Sequence, residues 1–418
     1  MGSVSMHETP PTRDSSGSVG DFGPSLCARH KGRNDAVRRS AERTKATDQA
    51  EAHADWRARR SYDAAQFPLQ RLLEAKRESI ALVLPAREVA ETIGPIAQCA
   101  ARLHAAGLLD EVLVIDAGSH DGSAQIAAAA GLTVVQEDEI AGELGPALGK
   151  GDAMWRALGA LDSEIVAYLD TDAEGIGDEF DMGLVGPLVC EPDVHFVKGR
   201  FRRPFRGGPG APLAPEGGGR VTELMARPLL NLYAPELAVF DQPLAGETAA
   251  RRGLLEQIPF SAGYGVEIAM LIDAWRAVGL QGMAQVDLGV RQNRHQPLRE
   301  LSAMAYAVLV AAQARFAGGG VAGGAPALTN RLTPAASAAA AASAPTVSAA
   351  AAALGPAASA AATGAILIDP AGKSTPVVLS ARPSIVLPPL DGAHQMEIRQ
   401  VSIAERPPWA RFRADGSG

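Results

Sequence analysis

Two carboxylates one residue apart, Asp170 and Asp172, close the apolar run "EIVAYLDTDAEG" that starts at Glu164. In extended chain, residues i and i+2 project to one side, so both can address one ligand beyond a strand tip. A carboxylate in such a place must be solvated, paired or bound to a cation, because a bare buried charge is costly. A hard divalent ion, Mg²⁺ with Mn²⁺ as the alternative, answers that need. It accepts one or two protein carboxylates and takes its other oxygens from water and a diphosphate. The plainer reading is that Asp172 caps a following turn.

Three further stretches carry chemistry of the same kind. In "GKGDAMWRAL", Lys150 lies between two glycines before a helix, where an ammonium can meet a phosphate or a nucleobase carbonyl; a solvated lysine is the alternative. In "EGGGRVTEL", glycines at 217 to 219 lead into a helix whose first turn offers free N–H groups. Arg220 and Thr222 stand beside them, so backbone, guanidinium and hydroxyl can converge on an anion; a flexible loop with a Thr-based cap is the alternative. "GYGVEI" sets Glu267 after Tyr264 at the start of an apolar helix, suited to sugar hydroxyls or a cation, or merely to the helix dipole. "VRQNRHQPL" gathers Arg291, Asn293, Arg294 and His295 after a strand, as possible metal, phosphate and acceptor contacts.

The elements that must position these residues follow from apolar patterning. "IALVLPA" from Ile80, "EVLVIDAG" from Glu111, "LTVVQE" from Leu132 and "EIVAYLD" from Glu164 read as buried strands. Between them lie helical patterns over Glu88 to Ala106, Asp121 to Ala130 and Lys150 to Leu161. "VHFVKGRF" reads as a fifth strand, "GVEIAMLIDAWRAVG" as an amphipathic helix, "MAQVDLGV" as a strand, and Leu298 to about Phe316 as a closing helix. Such alternation predicts an α/β fold with a mostly parallel, Rossmann-like sheet covered by helices on both faces, and ligands at the carboxyl ends of its strands.

The rest of the chain bounds the answer. Residues 1–61 are polar and poor in large apolar side chains, so they are expected to form a disordered arm; residues 318–364, rich in Ala, Gly, Ser and Pro, read as a flexible linker and not a membrane span, and residues 365–418 as a C-terminal tail. Cys27, Cys99 and Cys190 are far apart and lack zinc or disulfide spacing, and no signal-peptide core opens the chain, so a cytoplasmic setting is expected. A formal net charge of −8 argues against a nucleic-acid surface but allows a small anionic substrate held by local basic residues. No G-x-S-x-G, H-E-x-x-H, Walker A or complete G-x-G-x-x-G motif is present, so hydrolase, P-loop and dehydrogenase readings fall away.

Taken together, "VLPAREVAETI", "VLVIDAGSHDGS", "GKGDAMWRAL", "VAYLDTDAEG", "VGPLV", "VHFVKGRFRRP", "GGGRVTELMARPLL", "QPLAGETAARR", "PFSAGYGVEIAMLID" and "QVDLGVRQNRHQPL" closely resemble the glucosyl-3-phosphoglycerate synthases, over roughly Tyr62 to Arg315. "ERPP" from Glu405 resembles the end of some members. The resemblance implies a retaining GT-A glycosyltransferase, cytoplasmic and homodimeric, that uses a divalent cation to join glucose from UDP-glucose to the 2-hydroxyl of 3-phosphoglycerate. It implies a nucleotide-sugar region over 62–200 and an acceptor and helical region over 201–317. On this basis Pro85, Ala86, Asp116, Lys150 and Asp170 hold the nucleotide, with Tyr264 beside it and Glu267 near the glucose. Asp172 binds the metal and serves catalysis with Glu267, while Gly219, Arg220 and Thr222 hold phosphoglycerate. Two departures stand out. Val89 falls where the family has a nucleotide-contacting Glu, leaving Glu88 or Glu91 to substitute. Asn293 falls on the family's metal-binding His and His295 on its acceptor-binding Asn, so either Asn293 ligates through its amide oxygen or His295 takes over. The competing readings are a related transferase using GDP-mannose or a polyprenyl phosphate acceptor, and a UDP-binding pseudoenzyme.

Overall fold

The computed structural model describes residues 47–206, 213–214, 218–293, 296–317, 366–368, 374–379, 384–387, 397–401 and 403–415. Two compact units divide between Ala54 and Asp55. Of the first, residues 47–54 are described and are helical. The second begins before residue 62, the expected edge of the arm: Trp56 is fully buried, and its indole N–H donates to the Leu280 carbonyl at 2.8 Å.

An eight-stranded sheet forms the centre of this second unit. Its strands are β1 (Ser61–Asp63), β2 (Ile80–Ala86), β3 (Glu111–Asp116), β4 (Thr133–Gln136), β5 (Ile165–Tyr168), β7 (Phe196–Arg202), β8 (Thr248–Arg251) and β10 (Met283–Val290), in spatial order β1-β10-β7-β8-β5-β2-β3-β4. All run parallel except β8, which pairs antiparallel with both β5 and β7. That strand was not expected from its residues, since Thr-Ala-Ala-Arg has little β-branched or aromatic character. It is held by burial between β5 and β7, pairing with both.

Side chains alternate between two cores, as the pleat requires. Ala81 and Val83 of β2 and Val166 and Tyr168 of β5 face one core, with α3 (Lys150–Ala160) and α6 (Val266–Val278). Ile80, Leu82 and Leu84 with Ile165 and Ala167 face the other, with α1 (Ile93–Ala105) and α4 (Asp178–Cys190). The sheet is thus buried on both sides, which is why its strands read as continuous apolar runs. The helix expected from Glu88 starts only at Ile93, because Glu88 takes a left-handed conformation at φ 50° and the chain turns first. The pattern from Asp121 gives α2 (Ser123–Ala129).

Past the sheet, a helical run begins at Arg220, passes through a π-turn over Thr222–Ala226 and continues as α5 (Arg227–Tyr233). Helix α7 (Leu298–Ala317) follows β10 and a small ladder in which β11 (Gln292–Asn293) pairs with β6 (Ala173–Glu174). Where they are described, the C-terminal residues do not trail as a tail. Strands β12 (Ile366–Ile368), β13 (Ser374–Leu379) and β16 (Ala404–Arg406) form a second sheet with β9 (Phe260–Ser261), β14 (Ser384–Leu387) pairs with β15 (Glu397–Gln400), and α8 (Trp409–Asp415) ends the described chain. The Ala-rich residues 318–364 lie outside the described residues.

Candidate active site

Beyond the carboxyl end of β5, four distant parts of the chain meet. The Lys150 ammonium, at the start of α3, donates to Asp170 and, at 2.9 Å, to Glu267 Oε1 in the first turn of α6. Arg291, just past β10, reaches Asp170 Oδ2 at 3.3 Å and Asp172 Oδ1 at 3.1 Å. Its other nitrogen pairs with Glu247, which is fully buried. Asp170 and Asp172 therefore do share one side, as their spacing predicts. Gly246 makes room for Asp170: a Cβ there would lie 2.2 Å from Asp170 Oδ2.

Charge balance in this cluster is set by burial against pairing. Burial alone would raise the Asp170 carboxyl, but Lys150 and Arg291 hold it well below the usual carboxylate range. Burial alone would lower the Lys150 ammonium, and Asp170 and Glu267 outweigh it, leaving it above its ordinary value. Lys198, on β7 below, lacks such a partner. Its ammonium donates to Thr248 Oγ1 at 3.1 Å, and burial pushes it down to about 7. Burial likewise lowers the Arg203 guanidinium to about 10.

The expected nucleotide residues line the tips of β2 and β3. The Pro85 carbonyl accepts from Thr171 Oγ1 at 2.6 Å, which ties the first loop to the Asp170–Asp172 loop. Ala86 is buried beside it. Asp116 is buried, with Oδ2 accepting from the Ser119 N–H at 3.0 Å and Oδ1 buried without a hydrogen-bond partner among the described residues. Val89 packs into the core, whereas Glu88 is exposed and its carboxylate accepts from the His120 N–H at 2.9 Å. Glu88 is thus directed to the loop after β3.

Gly219, at φ +75°, Arg220 and the buried Thr222 open the helical run that precedes α5. Arg220 Nη2 donates to the Gln296 carbonyl at 2.6 Å. Tyr264 is 60% exposed and lines a cleft of about 370 Å³ with Gln296, Glu300, Ala303 and Met304. His295 and Arg294 lie outside the described residues. Asn293 is described in its backbone, paired opposite Ala173, next to Asp172.

The donor set suits a hard divalent cation. Asp172 is 66% exposed and offers carboxylate oxygens, and the β6–β11 ladder sets the Asn293 backbone opposite Ala173, its neighbour in the chain. Among the described residues no group of three His, Cys, Asp or Glu side chains is placed to hold a metal. An ion here would rely on few protein ligands and on a diphosphate, as Mg²⁺ and Mn²⁺ sites do. Arg291, expected among the contacts of "VRQNRHQPL", is joined in the cluster by Glu247 and Lys198, which no chemical motif marks. The available signal was a charge inside an apolar strand pattern, as at Lys198 in "VHFVKGRF".

No family model matches the chain. A glucosyl-3-phosphoglycerate synthase of Mycolicibacterium paratuberculosis is 44% identical over 256 residues, 61% of this chain and 78% of that protein. Among solved structures, mannosyl-3-phosphoglycerate synthase from Rubrobacter xylanophilus matches with TM-score 0.66 and 37% identity, covering 86% of this chain and 99% of that one. Glucosyl-3-phosphoglycerate synthase from Mycobacterium tuberculosis, in complex with Mn²⁺, UDP-glucose and phosphoglyceric acid, matches with TM-score 0.60 and 31% identity over 83% of this chain and 95% of that one. The sheet order and covering helices are those of GT-A glycosyltransferases, and the chain belongs to the glucosyl-3-phosphoglycerate synthase family.

Proposed function

We propose that this protein transfers glucose from UDP-glucose to 3-phosphoglycerate with the help of Mg²⁺ or Mn²⁺. The acceptor has one free hydroxyl, on C2, which makes the product glucosyl-3-phosphoglycerate. The observation that carries this reading is the cluster in which Lys150 ties Asp170 to Glu267 beside Asp172 and Arg291 at the strand tips.

Pro85, Ala86 and Asp116 form the uridine end, where Asp116 Oδ1, without a hydrogen-bond partner among the described residues, offers an acceptor to a nucleoside donor group. Asp172, with Asn293 or His295, would hold the divalent ion, which when bound neutralises diphosphate charge as UDP departs. Arg291 and Lys150 are positive charges fixed in place before reaction, so they need no reorganisation as negative charge develops. Glu267, held by Lys150, faces the sugar as an orienting carboxylate. An ion-paired carboxylate is a poor nucleophile, which favours delivery of the acceptor hydroxyl on the face of the departing phosphate and retention of configuration. The Gly219 loop, Arg220 and Thr222 hold the acceptor's anionic groups at a helix start. The division into a donor region over 62–200 and an acceptor region over 201–317 belongs to this proposal, with Glu267 and Arg291 reaching back to the donor.

We also place the enzyme in the cytoplasm as a homodimer. Among the described residues no helix is long and apolar enough to cross a membrane, and Leu224 and Leu232 expose apolar side chains suited to a subunit contact. UDP release from UDP-glucose and Mg²⁺ tests the function: it should require 3-phosphoglycerate and cease with EDTA. The similarity to a mannosyl-3-phosphoglycerate synthase supports a second reading, transfer of mannose from GDP-mannose, tested in the same assay. UDP binding without release from either donor would mark a pseudoenzyme.

A further inference from the structure

The residues of "ERPP", Glu405–Pro408, lie against the helix start that presents Lys150. We propose that Glu405–Trp409 is a strap whose Arg406, acting through Asp152, positions Lys150 and so the Lys150–Glu267 contact of the donor site. The proposal rests on the functional reading above and names a positioning residue within it.

Strand β16 pairs antiparallel with β9, Phe260 opposite Arg406 and Ser261 opposite Glu405, and Ala262 N–H donates to the Ala404 carbonyl at 2.8 Å. On its other side the same strip holds α3: Gly151 N–H donates to the Ala262 carbonyl at 2.9 Å. The approach is so close that a Cβ on Gly151 would lie 1.8 Å from the Ser261 carbonyl oxygen. After Ala262 the chain turns into α6, whose first turn carries Glu267. One peptide strip thus separates the strap from both partners of the Lys150–Glu267 ion pair.

The side chains lock this layer. Arg406 and Asp152 are both fully buried, and the guanidinium grips the carboxylate through Nε at 2.6 Å and Nη2 at 2.9 Å. Asp152 stands two residues after Lys150, in the first turn of α3, and its Oδ2 also accepts from Leu148 N–H at 2.8 Å. It therefore fixes the backbone on both sides of the lysine. Arg406 lies over the Trp155 ring at 5.3 Å, Trp155 Nε1 donates to the Pro407 carbonyl at 2.8 Å, and Trp409 packs edge-on against Trp155 at 4.5 Å. On the opposite face of the strand, Glu405 pairs with Arg315 of α7, which also holds Asp273 of α6 at 2.6 Å. A planar, bidentate guanidinium specifies geometry as a lysine cannot. Small misplacements of a positioned group carry large functional costs.

The test uses the full chain and compares Arg406→Lys with Glu405→Gln. Arg406→Lys loses the bidentate grip on Asp152, whereas Glu405→Gln loses an ion pair of the same strand that does not touch Asp152. Thermal unfolding, UDP binding with Mg²⁺ by calorimetry, and separate KM values for UDP-glucose and 3-phosphoglycerate are read for both. Arg406→Lys should weaken UDP binding and raise the KM for UDP-glucose by about tenfold, the scale seen for groups that orient a contacting residue, with the KM for 3-phosphoglycerate within about twofold. Glu405→Gln should lower the melting temperature with donor affinity unchanged. Unchanged donor affinity in a folded Arg406→Lys, or an equal loss in Glu405→Gln, would overturn the proposal. Should Arg406→Lys not fold, Arg406→Gln, which leaves Asp152 its second buried partner Arg156 at 3.4 Å, is read in the same way. Wild-type protein that neither binds UDP nor releases it would instead overturn the functional reading itself.

Discussion

Asp172 carries the most exposed charge of the central cluster, 66% accessible, whereas Asp170 is 20% accessible and clamped by Lys150 and Arg291. The two carboxylates are therefore not interchangeable. Asp172→Ala should leave the fold intact and cut Mg²⁺-dependent UDP release by at least about 100-fold, the usual cost of losing one stabiliser of transition-state charge. Wild-type turnover in that variant would remove Asp172 from the metal site. Arg220, whose guanidinium reaches Gln296 and not the carboxylate pair, should behave differently. Arg220→Ala should raise the KM for 3-phosphoglycerate by about tenfold or more, as loss of a charged hydrogen bond does, with the KM for UDP-glucose nearly unchanged; a reversed pattern of KM values would refute its assignment to the acceptor. Asp170, Asp172, Lys150 and Glu267 were each legible in the sequence, since each stands at an element end beside glycine or an apolar run. Their mutual contacts were not, because 117 residues separate Lys150 from Glu267 and only the fold closes that gap.

Among the elements, helix α4 best shows how a local rule is overridden. Its first turn holds Asp178, Glu179 and Asp181, and the charges of the first two suit the helix dipole by about 0.3–1 kcal/mol each. Asp181, however, is buried, with both oxygens lacking hydrogen-bond partners among the described residues; burial first, then the charges of Asp178 and Glu179, raise its carboxyl to about 8. The folded state thus binds the Asp181 proton more tightly than the unfolded chain, whose carboxyl titrates near 3.8. Its stabilising contribution is complete below that value and is lost as pH rises toward 8, amounting to about 4 kcal/mol by pH 7. Asp181→Asn should accordingly melt at nearly the wild-type temperature at pH 4 and well above it at pH 8. A gap between the two proteins that does not widen with pH would show that Asp181 is already paired. Strands β2, β3 and β5 were legible because burial on both faces made them continuous apolar runs. Helix α4 was not, since acidic residues open it and Gly183, Gly186 and Pro187 interrupt its pattern.

For the whole molecule, the limits of the fold were the hardest feature to read, because they depend on single side chains that meet partners far along the chain. A compositional boundary at residue 61 misses Trp56, whose neighbours to residue 60 are polar or small. In three dimensions Trp56 is fully buried, its ring 5.0 Å from Phe240, and its indole bonded to Leu280. Arg57 adds a bidentate pair with Asp241 at 2.7 and 3.0 Å, and Asp241 is in turn held by Arg200 of β7 at 2.9 Å. The C-terminal end has the same logic, with Arg406 and Trp409 reading as tail residues until they meet Asp152 and Trp155. Both ends fasten the face of the sheet that carries α3 and α6. Trp56→Ala removes a large, fully enclosed side chain and orphans no charge, so it should destabilise by about 3–5 kcal/mol. Chemical denaturation should show a lower midpoint with an unchanged slope, while the KM values of the folded variant stay close to wild type, since Trp56 touches none of the cluster residues. A midpoint equal to wild type would place the edge of the folding unit after residue 61.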